Sequence, residues 1–122
     1  MPSISITSAI LPRQLAFPAA MEFLLTAERF PAERALELGL LNEIVPEAEL
    51  RKKAFEWASR ITANAPLAVQ ATKESVMRGL ALDLDEAYKV ESKIASEIFQ
   101  TEDAKEGPKA FAEKREPKWR AR

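Results

Sequence analysis

The chain has 122 residues, 47% of them apolar, which suits one small domain, or one domain with a remnant of another. A chain this short has limited surface to bury unless partner chains supply more. Its 18 basic and 19 acidic side chains leave a net charge of −1, which argues against a general nucleic-acid binder; with no cysteine and no histidine, disulfides, thiolate nucleophiles, zinc clusters and imidazole bases are excluded.

Any acid–base chemistry therefore falls to carboxylates, lysines or the single Tyr88. No apolar run approaches the roughly 18–20 residues that a membrane-spanning helix needs. The first residues show no basic region followed by an apolar block, so the expectation is a soluble cytoplasmic protein with no membrane partner. There is no glycine-rich phosphate loop, no metal-ligand spacing and no internal repeat.

Met1 to Ala9 alternates isoleucine with serine and threonine, a weak strand signal. Pro18 then opens a short helix to Thr26, in which Met21, Leu24 and Leu25 recur at helical spacing and read as core. A two-turn helix follows from Ala32 to Leu38, and Gly39 stands where a left-handed cap is needed. Pro31 precedes it without a side-chain acceptor. Leu40 to Val45 extends, and Pro46 ends the unit; a strand near Asn42–Val45 is the one piece of β structure expected.

From Glu47 to Ala63 the residues Leu50, Ala54, Trp57, Ala58 and Ile61 form one apolar stripe. Arg51, Lys52, Lys53, Glu56 and Arg60 take the other side as a solvated face. Asn64-Ala-Pro66 turns the chain into a helix through about Arg78, with Lys73 at mid-helix. Gly79 closes that helix and Asp83 caps the next, with Glu86 completing a capping-box pattern. Its stripe is Leu84, Ala87, Ile94, Ala95 and Ile98, and Glu91 falls on the same side. A lone carboxylate on a buried stripe costs several kcal/mol, of the order of an uncompensated buried charge. A buried or interfacial ion pair with an arginine is therefore expected.

Thr101 can cap a last helix whose first turn carries Glu102 and Asp103, both suited to the positive end of the helix dipole. Gly107-Pro108 is read as a break and Pro117 as a stop. The piece between them sets Phe111 and Lys114 three residues apart, hence on one face. A ring beside a lysine can hold a flat base and a phosphate; a surface lysine next to a core phenylalanine is the plainer reading. Residues 114–122 hold five basic side chains against Glu116, a tail that suits a local anion or simply a solvated, frayed end.

The run T-E-D-A-K-E-G-x-x-A-F-x-E-K-R-x-P, from Thr101 to Pro117, resembles the C-terminal signature of the enoyl-CoA hydratase/isomerase (crotonase) family. Further stretches are similar to the same family in the same order: Leu11-Pro12-Arg13, Ala20-Met-Glu-Phe-Leu-Leu-Thr26, the unit from Phe30 to Pro46, and Asn64 to Lys73. The likeness covers roughly residues 10 to 119. In that family the catalytic machinery lies mostly before the region matched here. A glycine-rich loop stands where this chain has no glycine in its first 38 residues.

The resemblance implies an all-α chain, an orthogonal helical bundle with at most one short strand, equivalent to the C-terminal helical region of a crotonase-type fold. Residues 1–46 would be a remnant of the crotonase core, and residues 47–122 a helical region for oligomerisation and CoA capping. It further implies an acyl-CoA thioester as substrate, neither a metal nor a covalently held cofactor, and a homo-oligomer, a trimer or a dimer of trimers. Phe111 and Lys114 match positions where an aromatic ring and a lysine, often from the adjacent subunit, contact the adenine and phosphate end of CoA. Leu36 and Leu40 fall in a unit that partly lines the acyl pocket. No residue is assigned a catalytic role. Two other readings stay open: a free-standing helical interaction module, and a compact enzyme using Glu91 or Tyr88.

Overall fold

A computed structural model describes residues 7–122, which form seven α-helices and one short 3-10 turn, with no strand among the described residues. The all-α expectation holds. Of the stretch read as a weak strand, residues 1–6 lie outside the described residues, and residues 7–9 are helical. The chain forms two compact units, one ending at Arg51 and the other beginning at Lys52.

In the first unit α1 (Thr7–Gln14) packs on α2 (Phe17–Thr26). Leu11, Leu15 and Ala20 make its core, with Phe23, Leu24, Leu38 and Leu40 packed against them. Phe23 also meets Phe30 edge to face, ring centres 5.2 Å apart. Leu25, expected in the core, is exposed. The buried side of α2 is carried by Ala19 and Ala20, whose small side chains allow close approach.

α2 ends at Ala27, which takes a left-handed φ of 53°. The Thr26 hydroxyl donates to the Glu22 carbonyl at 2.8 Å and accepts the Glu28 N–H at 3.4 Å, so local bonds hold the turn. Alanine takes up a left-handed cost of roughly 1–2 kcal/mol. α3 (Ala32–Glu37) starts without a side-chain cap at Pro31. It closes through Gly39, with φ 78° and the paired bonds Gly39 N–H to Leu36 O and Leu40 N–H to Ala35 O. The chain then runs irregularly to a 3-10 turn, Glu47–Glu49.

α4 (Leu50–Thr62) buries none of its residues, so its apolar stripe faces outward. In the second unit α5 (Pro66–Gly79) and α6 (Leu84–Ile98) pack together as a helical hairpin joined by four residues. Gly79 lies against α6, where an added methyl would meet the Ala87 side chain at 3.6 Å. Asp83 caps α6 by accepting the Glu86 N–H at 3.0 Å, as its pattern indicates. Glu91, expected in a buried or interfacial ion pair with an arginine, is exposed, and its carboxylate has no ion-pair partner among the described residues. A stripe at helical spacing marks a side that can be covered, and does not show that the chain covers it.

α7 (Glu102–Ala112) is capped by Thr101, whose hydroxyl accepts the Ala104 N–H at 3.2 Å. It runs unbroken through Gly107-Pro108, where a break was expected. Proline in a helix interior loses one N–H bond, and its ring crowds both the carbonyl one turn back and the residue before it. Gly107 has no Cβ, which removes one of those clashes. That bare position also takes the Trp119 ring, which an added methyl would meet at 3.4 Å.

Candidate functional site

Beyond α7 the chain folds back along the helix, and the carboxylates of the first turns hold it there. Asp103, 4% exposed, accepts the Arg120 N–H at 2.7 Å and the Ala121 N–H at 2.9 Å, one on each oxygen. Glu106 receives both terminal nitrogens of Arg115, at 2.6 and 3.0 Å, and the Lys118 N–H at 2.8 Å. The Glu102 N–H donates to the Arg122 carbonyl at 2.6 Å. Trp119 lies over Gly107 and donates its indole N–H to the Ala63 carbonyl at 2.8 Å. The Arg115 guanidinium, with help from the Lys118 N–H, holds Glu106 down from the usual value near 4.5 to about 2. In return Glu106 and Glu113 push Arg115 further up.

This fold-back decides where the two nucleotide-binding candidates sit. Phe111 lies in the last turn of α7 and is 87% exposed. Lys114 is not on the helix: α7 ends at Ala112, five residues before Pro117, where the stop was expected. Glu113 is the C-cap and Lys114 has a left-handed φ of 53°. The Lys114 N–H donates to the Phe111 carbonyl at 3.2 Å and the Arg115 N–H to the Ala110 carbonyl at 3.1 Å. This is the same paired closure that Gly39 makes on α3, here built on a lysine. The shared helical face expected for Phe111 and Lys114 is therefore replaced by a turn, in which the Phe111 carbonyl fixes the Lys114 backbone. Arg115, pinned by Glu106 and Glu113, sets the direction of exit.

A groove of about 460 Å³ lies between α7 and the returning tail, lined by Glu102, Lys105, Glu106, Lys109, Lys118 and Arg120. Neither Phe111 nor Lys114 lines it. The roles of Asp103, Glu106, Arg115 and Trp119 were missed from sequence. Asp103 and Glu106 stand one turn apart near the start of α7, which reads as simple dipole compensation. Their partners lie 9 to 18 residues further on, beyond any periodic signal.

Leu36 is exposed and Leu40 packs on the core of the first unit. Tyr88 and Glu91 are both exposed on α6, with no hydrogen bond between them. No group of side chains among the described residues could hold a metal ion. Among the same residues no helix is long and apolar enough to cross a membrane.

The family model for enoyl-CoA hydratase/isomerase matches residues 1–122. An enoyl-CoA hydratase of Mycobacterium tuberculosis is 42% identical over 112 residues, spanning 92% of this chain and 42% of that protein. A carnitinyl-CoA dehydratase of Proteus mirabilis is 40% identical over 116 residues, spanning 92% and 44%. Among solved structures, an enoyl-CoA hydratase from Mycobacterium tuberculosis H37Rv superposes with a TM-score of 0.90 at 40% identity, covering 95% of this chain and 46% of that one. The chain thus spans less than half the length of the relatives it matches, and its helices correspond to their C-terminal helical region. Helix for helix and motif for motif, this chain belongs to the enoyl-CoA hydratase/isomerase family.

Proposed function

We propose that the chain acts as the C-terminal part of an enoyl-CoA hydratase/isomerase-like protein, in the cytoplasm, and caps the nucleotide end of an acyl-CoA thioester. Residues 1–46 belong to the remnant of the catalytic core, and residues 47–122 serve oligomerisation and CoA capping. The parent reaction adds water across a 2-enoyl-CoA double bond or shifts that bond. In either case an enolate is held by backbone amides while carboxylates move protons. No residue of this chain is given those roles.

The observations that carry the reading are a bare aromatic ring, Phe111, in the last turn of α7 and, three residues on, a lysine whose backbone is left-handed. A non-glycine residue in that conformation costs free energy that glycine would not, and such residues concentrate where a side chain must be aimed. Stacking on Phe111 and one point charge at Lys114 anchor adenine and phosphate far from the reacting carbon. That remote binding energy positions the thioester.

The test is a calorimetric titration of CoA and of dephospho-CoA, which lacks the ribose phosphate, into the chain and its Lys114→Ala variant. CoA is expected to bind more tightly than dephospho-CoA to the parent chain, and the two equally to the variant. The same preference in both proteins would refute the role of Lys114.

A further inference from the structure

Trp119 is held from both sides. The Lys118 N–H before it donates to Glu106 at 2.8 Å, and the Arg120 and Ala121 N–H groups after it donate to Asp103 at 2.7 and 2.9 Å. Its ring lies over Gly107. The indole is thereby fixed relative to α7, and its N–H points away from that helix to the Ala63 carbonyl, just past the end of α4, at 2.8 Å. Among the described residues this is the one hydrogen bond that ties residues 102–122 to anything before Thr101. The ion pairs of the same stretch, among Glu102, Glu106, Glu113 and the three arginines, all close within it.

Helix packing adds little to that tie. In the second unit the closely packed pair is α5 with α6. α7 buries Asp103, under its own tail, and the single methyl of Ala110. Three residues, 99–101, connect it to α6, and Phe99 among them is exposed. Residues 102–122 are thus an arm closed on itself by carboxylates and fastened elsewhere by an indole. Glu106 carries the connection onward, because it holds both Lys118, next to Trp119, and Arg115, next to Lys114. A continuous chain of bonds leads from Ala63 through Trp119 and Glu106 to the turn that presents Lys114.

We infer that residues 102–122 behave as one rigid arm and that Trp119 is its positioning residue, its bond to Ala63 setting the direction in which the arm presents Phe111 and Lys114. A site is only as well aimed as the groups that support it, and here the support is a single latch on a short hinge. The purpose of the latch rests on the capping role proposed above; its geometry does not.

Trp119→Phe keeps a ring over Gly107 and removes the N–H. Residual dipolar couplings from NMR on the chain and this variant report the direction of α7 against the α5–α6 hairpin, while hydrogen exchange reports whether the arm stays closed. In the parent chain α7 and the hairpin are expected to fit one alignment. In the variant the docked state should lose about fivefold in its equilibrium, the effect of one neutral hydrogen bond, so the α7 couplings should shift or shrink. The Arg120 and Ala121 amides should meanwhile keep their protection. Couplings of α7 unmoved in the variant would overturn the latch, and protection lost at Arg120 and Ala121 would overturn the single arm. Couplings that behave as expected in a chain showing no preference for CoA over dephospho-CoA would uphold the arm and sink the capping role.

Discussion

Asp103 is one of the side chains that hold the returning tail, and changing it to asparagine isolates its contribution. The carboxylate is nearly fully buried and accepts a main-chain N–H on each oxygen, from Arg120 at 2.7 Å and from Ala121 at 2.9 Å. Asparagine keeps the shape but offers one acceptor oxygen, and its amide nitrogen faces a donor where the second oxygen stood. A hydrogen bond to a charged group contributes roughly 1.5–3 kcal/mol. Losing one such bond, and the charge on the other, should ease opening of the tail by about 2 kcal/mol, which is about a 30-fold change in the opening equilibrium. Native-state hydrogen exchange followed by NMR reads this directly. The Arg120 and Ala121 amides should exchange about 30-fold faster in Asp103→Asn, in line with that change. The Glu102 amide, bonded to the Arg122 carbonyl, should follow them, while the Ala104 amide, held by Thr101, should change little. Unchanged protection at Arg120 and Ala121 would mean that the tail is held by other contacts, and the reasoning would fail.

Two further outcomes follow from the same region. Glu106 sits at about pH 2 in the folded chain against a usual value near 4.5, so its clamp on Arg115 and Lys118 is fully present above about pH 4.5 and is lost as the pH falls from there toward 2. Trp119 fluorescence followed from pH 6 to pH 2 should change within that window, and Glu106→Gln should remove the change; a transition of the same size in the variant would contradict the assignment. Lys114→Gly should relieve the left-handed backbone and stabilise the end of α7 by roughly 0.5–1 kcal/mol in urea unfolding. A destabilised variant would show that the lysine side chain contributes to folding more than its backbone strain takes away.

The helices were legible because their periodicity and their punctuation agree. Asp83, Thr101 and Gly39 each sit at a helix end with the bond that their residue type favours. Where the reading failed, one local rule had met an exception supplied by a neighbour. Pro108 follows a glycine, which spares the clash with a preceding Cβ, and α7 runs on through it. Glu91 shows a different limit. The period of a stripe fixes which residues share a side, but whether this chain or another covers that side depends on contacts remote in sequence. Phe111 and Lys114 could be named as candidates from the sequence, but the geometry around them could not. The end of α7 is decided by Lys114 adopting a conformation that its type disfavours, and by Arg115 reaching back to Glu106.

At residues 118, 120 and 121 the returning tail is gripped through its peptide groups. Asp103 and Glu106 bond the N–H of residues 118, 120 and 121, and any residue but proline presents that group. At these positions the path of the tail is separated from the chemistry of the side chains, unlike at Arg115 and Trp119, whose side chains are themselves held. Lys118 and Arg120 are released from holding the structure together, although Arg120 also reaches Glu102 across an exposed 3.3 Å pair of the kind that contributes little. A change of charge at either position would re-surface this edge of the protein without moving its backbone, so the region can be retuned toward new neighbours at small structural cost.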